Sequence, residues 1–173
     1  MTIIEDIRAN QVVDLHLNDI PKAYFGDTSD MITALKDNTS IESIQFDKDF
    51  IGCIFGDERG QLLDQVAKLP NLKEVFLGDA GLMVEVIVTL LKNAKSLRSI
   101  TLHHLVMQGN QKDFDLLEAA LSRHESLKDF QMEECVAANE DIDMEKIMNA
   151  GKKFNATNID NPVHSEPQNA IAA

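Results

Sequence analysis

The chain has 173 residues, an ordinary apolar share of 44%, and 16 Lys+Arg against 29 Asp+Glu, for a net charge of −13. That length accommodates one domain with its own core. That charge repels nucleic-acid phosphate and anionic membrane, so neither is expected as a partner, and a basic protein suits it better.

The first residues, Met1-Thr2-Ile3-Ile4-Glu5-Asp6, lack the basic head and apolar stretch of a secretion signal, and no run approaches the length of a membrane span. The expectation is a cytoplasmic chain, although a secreted effector without such a signal fits the same residues. Residues 1–10 read as an N-terminal cap helix in which Ile3, Ile4 and Ile7 cover the first repeat.

The repeats share a phrase with apolar residues at its first, fourth and sixth places. Its copies are Val12-x-x-Leu15-x-Leu17, Ile41-x-x-Ile44-x-Phe46, Leu72-x-x-Val75-x-Leu77, Leu97-x-x-Ile100-x-Leu102 and Leu127-x-x-Phe130-x-Met132, with Ala156-x-x-Ile159-x-Asn161 a degenerate sixth. Starts at 12, 41, 72, 97, 127 and 156 are separated by 29, 31, 25, 30 and 29 residues, a period that marks stacked supersecondary units. Each copy begins as a strand.

Between strands the apolar period lengthens to the helical one. Ten, six and three places before an anchor stand Met31, Leu35, Asn38; then Leu62, Val66, Leu69; then Ile87, Leu91, Ala94; then Leu117, Leu121, His124. That spacing gathers each set on one helical face, directed at the fourth- and sixth-place residues. The fifth helix, near Asp143 to Lys153, is expected to slip, because only Ala150 falls in place while Lys146 and Lys153 are of the wrong type. Acidic residues (Asp57-Glu58, Asp113) suit helix starts, and Pro70 suits a helix stop. Just before the anchors stand Ser40, Asn71, Ser96, Ser126 and Asn155, all able to bond nearby backbone.

Helices that join parallel strands in a fixed sense predict an α/β fold: a right-handed βα solenoid. Its parallel sheet of about five to six strands should lie on the concave side, its helices on the convex side. One domain is expected over residues 1–161, followed by a flexible tail over 162–173. Repeats of this length with Leu-x-x-Leu-x-Leu and a full helix resemble the ribonuclease-inhibitor-like class of leucine-rich repeats, over roughly residues 12 to 161. That class usually carries Asn or Cys three places after the sixth; here those places hold Ile20, Asp49, Ala80, Leu105 and Cys135, and Cys135 alone matches. The resemblance implies protein binding on the concave sheet.

Third- and fifth-place residues alternate with the core and should face that side. With the second places they define the candidate partner-binding residues: Asp14, His16, Gln45, Lys73, Glu74, Phe76, Arg98, Thr101, Lys128, Asp129 and Gln131. Lys73, Arg98 and Lys128 form a basic strand-start edge, and Asp19, Asp47, Asp49, Asp79, Glu133 and Glu134 an acidic strand-end edge. Phe76 is the apolar centre between them. The apolar insert Phe50 to Gly56 is expected either to seal the core or to serve as a flap.

For chemistry the sequence offers little. His103 and His104, adjacent on an extended chain, are expected to point to opposite faces and so not to chelate one metal. His124 reads as a packed histidine, and Cys135 lacks a histidine base. Cys53 and Cys135 would lie about 14 Å apart, three strands of roughly 4.8 Å each, too far for a disulfide. The acceptor patterns at Asn38 and Asn155 read as chance. The expectation is a non-enzymatic, monomeric interaction module without cofactor or metal. A regulatory or adaptor subunit working through its edge, the 50–56 insert or the tail is the second reading, and a weak divalent-cation-dependent hydrolase on the acidic edge the third.

Overall fold

A computed structural model describes residues 2–17, 28–46, 57–79 and 81–155. The 50–56 insert, Cys53, the sixth copy from Ala156 and the tail lie outside the described residues.

The chain opens with helix α1 (Ile3–Arg8), started by a capping box: Thr2 Oγ1 accepts from Glu5 N–H, and Thr2 N–H donates to the Glu5 carboxylate. Then come β1 (Asp14–His16), α2 (Ser29–Leu35), β2 (Ser43–Phe46), α3 (Asp57–Val66) and β3 (Glu74–Gly78). They are followed by β4 (Gly81–Met83), α4 (Val84–Asn93), β5 (Ser99–His103), β6 (Val106–Gln108) and α5 (Gln111–Arg123). The last described elements are β7 (Asp129–Glu133), β8 (Val136–Ala137) and α6 (Met144–Asn155).

Among the described residues five strands form one parallel sheet in the order β1-β2-β3-β5-β7. The fourth-place residues stand in register across all of it, Leu15 beside Ile44, Val75, Ile100 and Phe130. This is a βα repeat with one continuous interior. Anchors, fourth and sixth places are buried except Val12 and Met132, which pack partly buried against the same core. Successive helices lie against one another, from α1 on α2 to α5 on α6, and Met31, Leu35, Leu62, Val66, Ile87, Leu91, Leu117 and Leu121 supply their buried face.

Three features were not legible in the repeat phrase. First, each repeat from the third to the fifth carries a second short strand, and β4, β6 and β8 form a three-stranded parallel sheet of their own. Leu105 and Met107 are buried there, whereas Val106 between them is exposed. Second, the residues before the anchors bond backward to the preceding coil. Ser40 donates to Val12 O, Asn71 to Thr39 O, Ser96 to Pro70 O, and Ser126 to Lys95 O and Leu97 O. Third, Asn155 at the end of α6 gives its amide to the backbone of Phe130. Its Nδ2 donates to Phe130 O at 2.8 Å, and its Oδ1 accepts from Phe130 N at 3.2 Å.

Helix α6 slips by one place, as its composition foretold. Ile147, Gly151 and Phe154 are buried where Lys146, Ala150 and Lys153 held the pattern's places, and Ala150 packs partly buried beside them. At Gly151 the helix meets the Phe130 ring so closely that a Cβ would come within 2.1 Å of a ring carbon. We expect Gly151→Ala to destabilise the fold by about 1–3 kcal/mol through overpacking. Gly60→Ala, in α3 with nothing within 4 Å of the added carbon, is expected to gain up to about 1 kcal/mol of helix propensity. Paired thermal melts check both, and equal shifts would show that Phe130 yields to α6.

Candidate functional site

The face of the large sheet opposite the helices is built from third and fifth places. Across the strands, Asp14, Ser43, Glu74, Ser99 and Asp129 make one row, and His16, Gln45, Phe76, Thr101 and Gln131 the next. Asp14, His16, Glu74 and Gln131 are exposed, and the others half-buried. The rows are partly knit together: Ser99 Oγ donates to Asp129 at 3.2 Å, and Gln131 Nε2 donates to the same carboxylate at 2.8 Å.

Lys73, Arg98 and Lys128 form one edge, their backbones bonded in series: Arg98 N–H donates to Lys73 O, and Lys128 N–H to Arg98 O. Their charges are not equivalent. Lys73 Nζ sits 2.6 Å from Glu42, while Arg98 and Lys128 are exposed and form no ion pair among the described residues. Phe76 is less open than its place suggests. Its ring lies over Gly78, where a Cβ would come within 2.6 Å of it, and faces the His103 ring at 6.1 Å. Glycine at 78 is what lets the ring lie down along its own strand.

At the strand-end edge the structure corrects an expectation. The His103 and His104 rings do not point apart; their centroids are 4.0 Å apart. The alternation argument holds only while the chain is extended, and His104 has left the strand with φ 50°. Asp79 (φ 53°) and Glu134 (φ 51°) take the same left-handed corner in the neighbouring repeats, although each carries a Cβ that disfavours it. The three corners stack, and their side chains meet. His104 Nδ1 lies 3.1 Å from Asp79 Oδ1, and His104 Nε2 lies 2.5 Å from Glu134 Oε2. Bonding to Glu134 first, and to Asp79 second, raises the imidazole pKa above its usual value.

A ring nitrogen of His103 and ligand atoms of Asp79 and His104 all lie within 4.8 Å of one another. The His103 Nδ1 is shielded from solvent and has no hydrogen-bond partner among the described residues. The sequence carried one signal for this edge. Two places past the sixth stand Asp79, His104 and Glu134, a polar column followed by apolar 80, 105 and 135, which is how a tight corner before a second strand reads.

Cys135 is half-buried, its thiol donating to Glu133 O at 3.4 Å, and burial raises its pKa. His124 packs as its place suggested, half-buried with Nε2 shielded from solvent. Its Nδ1 accepts from Leu127 N–H at 3.1 Å, and burial, the largest influence on it, lowers its pKa. It lines a concavity of about 570 Å³ beside α4 and α5 with Leu91, Lys92, Lys95, Leu116 and Arg123.

Among the described residues no helix is long and apolar enough to cross a membrane. The sequence matches no protein-family model and no curated protein. In three dimensions it is similar to the tropomodulin C-terminal domain of Caenorhabditis elegans, with 15% sequence identity, a TM-score of 0.55, and coverage of 89% of this chain and 92% of that one. That likeness concerns the fold, and together with the in-register parallel strands it makes this a leucine-rich-repeat-like α/β chain.

Proposed function

We propose that the chain is a non-catalytic protein-interaction module whose partner docks on the open face of the five-stranded sheet. The observation that carries this reading is the face itself. One side of each strand is spent on the core, while the other presents two aligned rows, Glu74 beside Asp129 across Ser99 and Phe76 beside Thr101 and Gln131, flanked by the exposed cations Arg98 and Lys128. An aromatic among polar neighbours is the usual make-up of a binding centre. On this reading residues 1–161 form one domain, a short right-handed solenoid arc of the ribonuclease-inhibitor-like kind. It works as a monomer in the cytoplasm, without cofactor, and its net charge favours a basic partner surface.

Capture of a partner from native lysate tests this reading, with Phe76→Ala and the triple reversal Lys73→Glu, Arg98→Glu, Lys128→Glu as the variants. Loss of a central aromatic is expected to cost about 2 kcal/mol, roughly thirtyfold in Kd. The reversal is expected to slow association and alter its salt dependence. If both variants capture the partner as the parent does, the sheet face is not the docking surface. The regulatory reading, through the 50–56 insert or the tail, then takes its place.

A further inference from the structure

We propose that Asp79, His103 and His104 bind one divalent transition-metal ion, zinc before others, with Glu134 as the outer carboxylate that orients His104. The three ligand residues come from the ends of β3 and β5, and their candidate atoms lie within 4.8 Å of one another. Two ligands of one tetrahedral zinc ion, each about 2.0–2.2 Å from it, lie roughly 3.4 Å apart, so the set closes by an inward shift of up to about 1.4 Å. Asp79 Oδ1 and His104 Nδ1, at 3.1 Å, already have the separation of two ligands on one ion.

Two further observations point the same way. His103 Nδ1 is shielded and unpartnered among the described residues, an arrangement that carries a free-energy cost unless something supplies the missing bond. The other nitrogen of His104, Nε2, is held by Glu134 at 2.5 Å, the carboxylate–histidine–metal arrangement that fixes both tautomer and ring angle. On binding, the ion takes the position of the proton between Asp79 and Nδ1, while Glu134 keeps the one on Nε2.

The donor set also selects the ion. Two imidazoles and one carboxylate favour zinc, copper or nickel over the hard cations, which prefer all-oxygen cages. Three protein ligands leave a fourth position for water or for a side chain of a docked partner. The cluster adjoins Phe76 through its contact with His103, so an ion here would border the open sheet face.

The test is calorimetric titration of the full chain with Zn²⁺, and separately Ca²⁺, alongside the histidine ring resonances. We expect uptake of one Zn²⁺ per chain that shifts the His103 and His104 signals, with no comparable response to Ca²⁺. His104→Asn and Asp79→Asn retain a residue tolerant of the left-handed corner, so they should fold, as circular dichroism will show, yet lose the uptake. Glu134→Gln should weaken it about 10- to 100-fold. No zinc uptake, or uptake that the His104→Asn and Asp79→Asn proteins retain in full, would overturn the site.

Discussion

Ile100→Ala should lower stability by about 2–5 kcal/mol, which is a large part of the roughly 5–15 kcal/mol that holds a typical domain together. Ile100 is fully buried in β5, with Val75 of β3 on one side and Phe130 of β7 on the other. The cavity left by its truncation therefore opens at the junction of three repeats, where no single helix can shift to fill it. A chain of this size loses about 2–4 °C of Tm per kcal/mol, so a fall of roughly 10 °C is expected. The neighbouring Thr101→Val, on the open face, should stay within about 0.5 kcal/mol. Comparable losses from both substitutions would mean that the strand does not divide its residues between core and surface.

Asn38→Ala is expected to cost about 3 kcal/mol or more, although the residue touches no ligand and carries no charge. Its side chain is buried and fully engaged: Nδ2 donates to Ile7 O at 2.7 Å, and Oδ1 accepts from Ser40 N–H at 3.0 Å and Ile41 N–H at 2.9 Å. Removing it strands the Ser40 and Ile41 N–H groups, at about 1–3 kcal/mol each, and leaves Ile7 O with the Asn10 N–H alone. The loss falls at one place, the contact between the end of α1 and the turn that leads into β2. Ile4 and Ile7 would lose the tether that keeps them over the first repeat, as terminal caps must be kept in repeat chains. Hydrogen exchange should therefore show α1 opening well before the rest of the protein. If α1 stays as protected as in the parent, the tether is dispensable.

Much of this architecture could be read without coordinates, for a physical reason. A repeat must solve the same burial problem in every coil, so five anchors constrain one register together. That is why the alignment of Leu15, Ile44, Val75, Ile100 and Phe130 follows from spacing alone, and why misplaced lysines announced the slip in α6. Asn38 shows where such reasoning stops. It occupies an apolar place in the helix pattern, and the amide there answers to the local N–H groups of Ser40 and Ile41 and to the carbonyl of Ile7, thirty-one residues away. The strand-end corner was missed for a different reason. Alternation was carried one residue beyond the end of β5, while the column Asp79, His104 and Glu134 marks the left-handed corner only by its polarity, without a glycine. Of the candidate partner-binding residues, spacing placed every one on the β1–β7 sheet or its leading edge. It could not show that Lys73 is tied to Glu42, or that Phe76 lies down over Gly78.

Asn155 has a wider implication. A parallel ladder built from identical steps contains no internal instruction to stop, since each strand's outer rim is the template for its successor. By spending one carboxamide on both backbone groups of Phe130 that face away from β5, the chain fills one rung of that template with a side chain instead of a strand. At that rung the edge of a second molecule finds no free donor or acceptor, which is one way a side chain blunts an exposed strand edge.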